Sequence, residues 1–191
     1  MYQRLAGSTW RNIWLVGDLH GCFALLMSQL RQLKFDPWQD LLISVGDLID
    51  RGPQSVECLG LLRCRWFRAV RGNHEQMALD ALASGEMALW TMNGGGWYPT
   101  ASQEQKRLAD LLFNRCRDVP LIIELRCQDT THVIAHADYP ASVYRWQLPV
   151  DEHQVLWGRQ RLTDHLAGRH GEIAGADHFW FGHTPLKRRY D

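Results

Sequence analysis

Apolar residues along this chain gather into short runs, and each of the first three stops at or just before a glycine. Ile13-Trp14-Leu15-Val16 ends at Gly17, Leu41 to Val45 ends at Gly46, and Phe67 to Val70 ends shortly before Gly72. A short apolar run closed by a turn residue predicts a buried strand. Helical spacing follows each of them. Phe23, Leu26, Met27, Leu30 and Leu33 fit one helix, broken at Asp36-Pro37; Val56, Leu59 and Leu62 fit a second after Pro53; Glu75 to about Ser84 fits a third. This βαβαβ rhythm predicts an α/β fold with helices packed on a largely parallel sheet.

The rhythm then changes. Asn93-Gly94-Gly95-Gly96 reads as a flexible turn rather than a phosphate cradle, because no Lys-Ser/Thr follows it, and it receives no catalytic role. Leu108, Leu111, Leu112 and Cys116 mark another helix, ending near Pro120. Leu121 to Leu125 and His132 to Ala135 read as a hairpin around Gln128, Asp129 and Thr130. From Ala137 to about Gly175 the sequence is polar and reads as a long connection with short helical pieces, of a length that suits a lid. His178 to Phe181 is the last strand the pattern predicts.

Composition narrows the class. A chain of 191 residues with 46% hydrophobic content suits one domain spanning 1–191. Lys plus Arg and Asp plus Glu are balanced at 21 each, so no net field draws the chain to nucleic acid or to an anionic membrane. Five scattered cysteines without a C-x-x-C pair point to reduced thiols, and no apolar run reaches the ~20 residues that span a bilayer. The expectation is a cytoplasmic protein with neither nucleic acid nor membrane as partner. Nine tryptophans are read as large core and rim side chains.

Polar residues at the strand ends carry the candidate chemistry: Asp18 and His20 after the first strand, Asp47, Asp50 and Arg51 after the second, Asn73 and His74 after the third, then His136 and His183 after the later runs. Taken singly, each has an ordinary structural explanation. Asp18-Leu19-His20 could be a helix cap with a surface contact, His136 or His183 a hydrogen-bonded core histidine, Arg51 a loop charge. Parallel strands, however, deliver their carboxyl ends to one edge of a sheet, so five such ends predict one shared site. Two adjacent divalent ions need roughly six protein ligands, one of them a bridging carboxylate, and Asp18, His20, Asp47, Asn73, His136 and His183 supply that number. The mixture of imidazole and carboxylate favours manganese, with iron or zinc as alternatives, over calcium.

The segments GDLHG (17–21), GDLIDRG (46–52), RGNHE (71–75), VIAHADYP (133–140) and FGHTP (181–185) together resemble the signature set of the phosphoprotein phosphatase family, within the calcineurin-like metallophosphoesterase superfamily, and its bacterial serine/threonine members above all. That resemblance runs from about Tyr2 to the end. It implies layered sheets flanked by helices, two metal ions, and hydrolysis of phosphoserine or phosphothreonine, with phosphotyrosine as a further substrate, by attack of a metal-bridging water. Asp18, His20 and Asp47 would hold the first ion, and Asp47, Asn73, His136 and His183 the second. His74 would be the general acid, oriented by Asp50. Arg51 and Arg159 would clamp the phosphoryl oxygens of a phosphorylated protein or peptide.

The family continues past its GHTP segment through another strand, whereas Asp191 follows His183 by eight residues. The expectation is a sheet without that strand, and with it either a dimer through the open edge or a destabilised second-metal site at His183. Thiolate phosphatases are excluded, because no cysteine has an arginine six positions later. The runner-up is a symmetrical dinucleoside tetraphosphatase; such enzymes tend to lack the carboxylate equivalent to Asp50 and to carry GNHD where this chain has Glu75. A metal-bearing binding module without catalysis ranks lower, since it has no use for His74, Asp50 and Arg51 together.

Overall fold

A computed structural model describes residues 1–169 and 171–186. Strands β2 (Ile13–Val16), β3 (Leu41–Ser44) and β4 (Phe67–Ala69) alternate with helices α1 (Phe23–Gln32) and α2 (Ser55–Gly60), and α3 (Asn73–Ser84) follows β4. The strands form a parallel sheet in the order β2-β3-β4, with Leu42 opposite Trp14 on one side and Phe67 on the other. The βαβαβ pattern is therefore realised as read.

A second sheet stands against the first, in the order β1-β5-β6-β7, built from Tyr2–Ala6, Ile122–Cys127, Thr130–Ala135 and His178–Trp180. Its β5–β6 pair is the expected antiparallel hairpin, and β6–β7 is parallel. Strand β1 was not expected; it pairs in parallel with β5, Tyr2 opposite Ile122.

Period-two alternation explains how the layers meet. In β3, Leu41 and Ile43 face the other sheet, where they pack with Ile123, Leu125 and Ile134, while Leu42 faces the helices and packs with Leu26, Leu59 and Met77. The outer face of the second sheet packs Ile122, Val133 and Ala135 against Tyr139, Tyr144, Val155 and Leu156. The result is helices, sheet, sheet and a covering of short helices, the layered α/β arrangement that the resemblance implied.

After α3, a single turn Ala88–Trp90 (α4) runs into a wide turn through Gly95, then α5 (Trp97–Thr100) and α6 (Gln103–Cys116). Residues 137–169 are in part helical. They contain α7 (Glu152–Trp157) and α8 (Gln160–Leu166), and Arg161 ties the segment down by donating to Asp138 Oδ1 (2.9 Å), the Tyr139 carbonyl (2.9 Å) and the Gly171 carbonyl (3.0 Å). Beyond β7, the expected open edge and its dimer concern residues 187–191, which lie outside the described residues. No helix among the described residues is long and apolar enough to cross a membrane.

Candidate active site

The loop after β3 carries Asp47, Asp50 and Arg51, and one side chain of α3 holds it. Glu75, buried, accepts from the backbone N–H groups of Asp47 (3.0 Å), Leu48 (2.8 Å), Ile49 (3.3 Å) and Gly72 (2.9 Å). A carboxylate offers about four lone-pair positions, and four amides take them. The approach requires glycine at 72, because a Cβ there would collide with the backbone nitrogen and carboxylate of Asp47. Burial and the neighbouring Asp47 push the Glu75 pKa up, against the pull of the amides.

Backbone strain is concentrated at the same place. Eight non-glycine residues among those described have positive φ, and five of them are His20 (41°), Asp47 (49°), Asp50 (73°), Arg51 (67°) and His183 (67°). Left-handed backbone costs roughly 1–2 kcal/mol per residue, so its recurrence here marks side chains aimed by their surroundings against local preference.

All the residues named from sequence except Arg159 are brought together around Asp47. Asp47 belongs to two groups whose ligand atoms lie within 4.8 Å of one another, His20–Asp47–His74 and Asp47–His136–His183. It is the member both share, as a bridging carboxylate must be. Its Oδ2 lies 3.7 Å from His20 Nε2 and 3.9 Å from His74 Nε2, and its Oδ1 lies 3.4 Å from His136 Nε2. Asn73 Oδ1 is 2.9 Å from both His136 Nε2 and His183 Nδ1. Asp18 joins from the end of β2, where its carboxylate accepts the His183 backbone N–H (3.0 and 3.2 Å). The two sheets are thus stitched together at the site, with His136 Nδ1–H donating to the Val45 carbonyl at 2.7 Å.

His74 Nδ1–H donates to Asp50 Oδ2 at 2.7 Å, and Asp50 is wholly buried. Arg51 donates to His20 Nε2 (2.8 Å) and His74 Nε2 (3.1 Å), so its guanidinium lies directly over the cluster. Arg159 is exposed and stands on the other flank, donating through Nε to Thr184 Oγ1 (3.2 Å) beside His183. Trp157 closes that flank, its ring edge-on to His183 at 6.0 Å.

The electrostatics suit divalent cations. Burial pushes Asp47 upward, but His136 and His74 outweigh it and hold the carboxylate well below its usual range. Burial likewise works to lower His136, and Asp47, Asp18 and the Val45 carbonyl reverse it. Asp18 is raised by burial, His20 lowered by it, and His183 lowered to about 4 by burial, His136 and Arg159. A neutral His183 that donates from Nδ1 has a bare lone pair on Nε2. That atom is buried and has no hydrogen-bond partner. An unmatched buried acceptor costs about 1–3 kcal/mol, which a cation would relieve, and the mixed imidazole and carboxylate set around Asp47 suits a hard-to-borderline divalent ion.

The family pattern described as calcineurin-like phosphoesterase matches residues 11–187. The chain belongs to the calcineurin-like phosphoesterase family. Among curated relatives it is 60% identical over 191 residues to "Serine/threonine-protein phosphatase 1" of Salmonella typhimurium, covering all of this chain and 87% of that protein. It is 46% identical over 182 residues to "Serine/threonine-protein phosphatase 2" of the same organism, covering 95% of this chain and 84% of that one. Among solved structures it resembles a protein provisionally named a diadenosine tetraphosphatase, with a TM-score of 0.56 and 28% identity, over 78% of this chain and 58% of that one.

Three residues at this family site were not found from sequence. Glu75 serves in the sequence only to separate this chain from GNHD enzymes, although its position at the third residue of α3, after a helix-opening Gly72, is a signal for a side chain that reaches back to free amides. Trp90 and Trp97, which also meet Asp50, were counted only as core aromatics.

Proposed function

We propose that this chain is a metal-dependent phosphatase of phosphoserine and phosphothreonine in proteins or peptides, located in the cytoplasm. The carrying observation is the His74–Asp50 pair beside ligand groups that share Asp47. The substrate class is supported by the name of the Salmonella relative, matched over 87% of its length. Five free thiols fit the location.

Asp18, His20, Asp47, Asn73, His136 and His183 would hold two divalent ions, manganese before iron or zinc. When bound, such ions supply Lewis-acid charge and make water a competent nucleophile at neutral pH. The chain's own residues do the rest. Arg51 and Arg159, one on each flank, offer planar guanidinium donors to a phosphate dianion, and Asn73 lies in the same floor. Once Arg51 has left His74 Nε2 for the phosphate and that nitrogen carries a proton, His74 gives it to the departing seryl oxygen, while Asp50 fixes the ring through Nδ1. The fold likeness to a tetraphosphatase keeps dinucleoside polyphosphate hydrolysis as the second reading.

His74→Asn tests the reading. With manganese, kcat on a phosphoserine peptide should fall by ~10²–10⁴-fold, and far less on p-nitrophenyl phosphate, whose leaving group needs no proton. Equal losses on both would remove His74 as the acid. Full activity after exhaustive chelation, or preference for diadenosine tetraphosphate over the peptide, would overturn the function itself.

A further inference from the structure

Asp50 is the partner that fixes His74, and its surroundings are unusual for a buried carboxylate. Its oxygens accept from His74 Nδ1 (2.7 Å to Oδ2), from Trp90 Nε1 (2.9 Å to Oδ2 and 3.1 Å to Oδ1) and from Trp97 Nε1 (2.8 Å to Oδ1). No Lys or Arg side chain is bonded to it among the described residues; Arg51, next in sequence, turns to the histidines instead. An indole nitrogen can only donate, so the direction of these bonds is not in doubt. Two neutral donors fill the lone pairs that do not face His74 and add no second cation to compete for the carboxylate.

The indoles are themselves held. Trp90 is wholly buried, edge-on to Trp97 (6.0 Å, 90°) and to Phe113 of α6 (5.7 Å, 87°), and Trp97 stacks on Phe113 (6.4 Å, 26°). The glycine run between them is what brings positions 90 and 97 onto one carboxylate. Gly94 sits at φ +113° with its carbonyl accepting the Arg51 N–H (3.4 Å), and a Cβ at Gly95 would run into the Trp90 ring. Thus the turn read as a connector is built around the indoles.

We propose that Trp90 and Trp97 are positioning residues for the Asp50–His74 pair, their indole N–H groups fixing the carboxylate so that His74 Nε2 faces the reacting phosphate. The proposal rests on the phosphatase reading for its kinetic arm only. A carboxylate left free to rotate, on a backbone at φ +73°, would misplace the imidazole, and small misplacements of an acid are costly in rate.

Trp97→Phe and Trp90→Phe keep a ring in place and remove one N–H each. With manganese-loaded protein, each should lower kcat on a phosphoserine peptide about tenfold, as loss of a hydrogen bond to a charged group implies, with KM unchanged and about threefold or less lost on p-nitrophenyl phosphate. In an Asp50→Asn background neither should cost anything further. In ring-¹⁵N-histidine protein, the low-field Nδ1 proton of His74 should shift in both variants. Equal losses on the two substrates, a tenfold loss that persists beside Asp50→Asn, or an unmoved His74 proton would overturn the proposal. Should one variant lack a cooperative melt, the other decides by the same criteria. Should wild-type protein hydrolyse neither substrate, the phosphatase reading falls and the His74 proton alone decides this one.

Discussion

Each sheet of this molecule is associated with one buried glutamate, and the two are satisfied in opposite ways. Glu75 serves the β2-β3-β4 side; it accepts from four backbone amides, and its pKa is raised. Glu124, on β5, accepts from Arg4 Nε (2.6 Å), Arg126 Nε (2.7 Å) and the Tyr144 hydroxyl (2.7 Å). Burial pushes Glu124 up as well, but those three donors reverse the sign and its pKa is lowered. The contrast extends to the arginines of the site. Arg51 rides on the amide-held loop, whereas the segment of Arg159 is tied down by side-chain pairs through Arg161 and Asp138. Amides held by one buried carboxylate have no alternative partner; arginines at a surface have water.

That difference sets the largest expected effect. Glu75→Gln keeps the volume but replaces an acceptor of four amides by one with a single oxygen and two added N–H groups. At least two buried amides are then unmatched, at about 1–3 kcal/mol each. We expect urea unfolding to show a loss of about 3 kcal/mol or more, together with loss of activity, because Asp47 and Asp50 lie on the released loop. A stable Glu75→Gln protein with full activity would break the comparison at its strong end.

The arginines give the intermediate case. Arg51→Ala should raise KM for a phosphoserine peptide about tenfold, the worth of one charge-assisted contact, and Arg159→Ala by less, since Arg159 is exposed and water replaces it readily. Metal content, read by atomic emission on the purified variants, should be unchanged in both. Metal loss in either would make that residue a support of the ligands instead of a phosphate clamp.

These contrasts also bear on what could be read from the chain. The GDLHG, GDLIDRG and RGNHE segments were legible because strand, glycine and candidate ligand are adjacent in sequence, and a parallel sheet needs only that rhythm to bring Asp18, His20, Asp47, Asn73 and His74 to one edge. His136 and His183 were legible as strand ends, and the resemblance supplied their partners. Strand β1 was not legible: Tyr2-Gln3-Arg4-Leu5-Ala6 has no apolar run, and its partner β5 lies 120 residues away. The roles of Glu75, Trp90 and Trp97 depend on close approaches at Gly72 and Gly95, where the collision a side chain would make appears only in three dimensions. Arg159 was legible only through the family likeness, because its polar surroundings match any surface segment.

The smallest effect tests the other glutamate. Arg4 and Arg126 are 37% and 57% exposed, so when Glu124 loses its charge they return to water at little cost. Glu124→Gln should therefore cost only about 1 kcal/mol at neutral pH, after solvent screening of both partners. Its pH dependence follows from the direction of the shift. A carboxylate whose folded pKa lies below the ordinary 4.5 adds stability that is fully present above pH 4.5 and is lost as the pH falls through the folded value. In acid the wild-type side chain is a neutral, hydrogen-bonding group much like glutamine. Urea unfolding of wild type and Glu124→Gln, run from pH 7 to pH 3, should then show a gap that is constant down to about 4.5 and closes below it. A gap that widens on acidification would mean that burial, and not the two arginines and Tyr144, governs Glu124, and the two glutamates would be held alike.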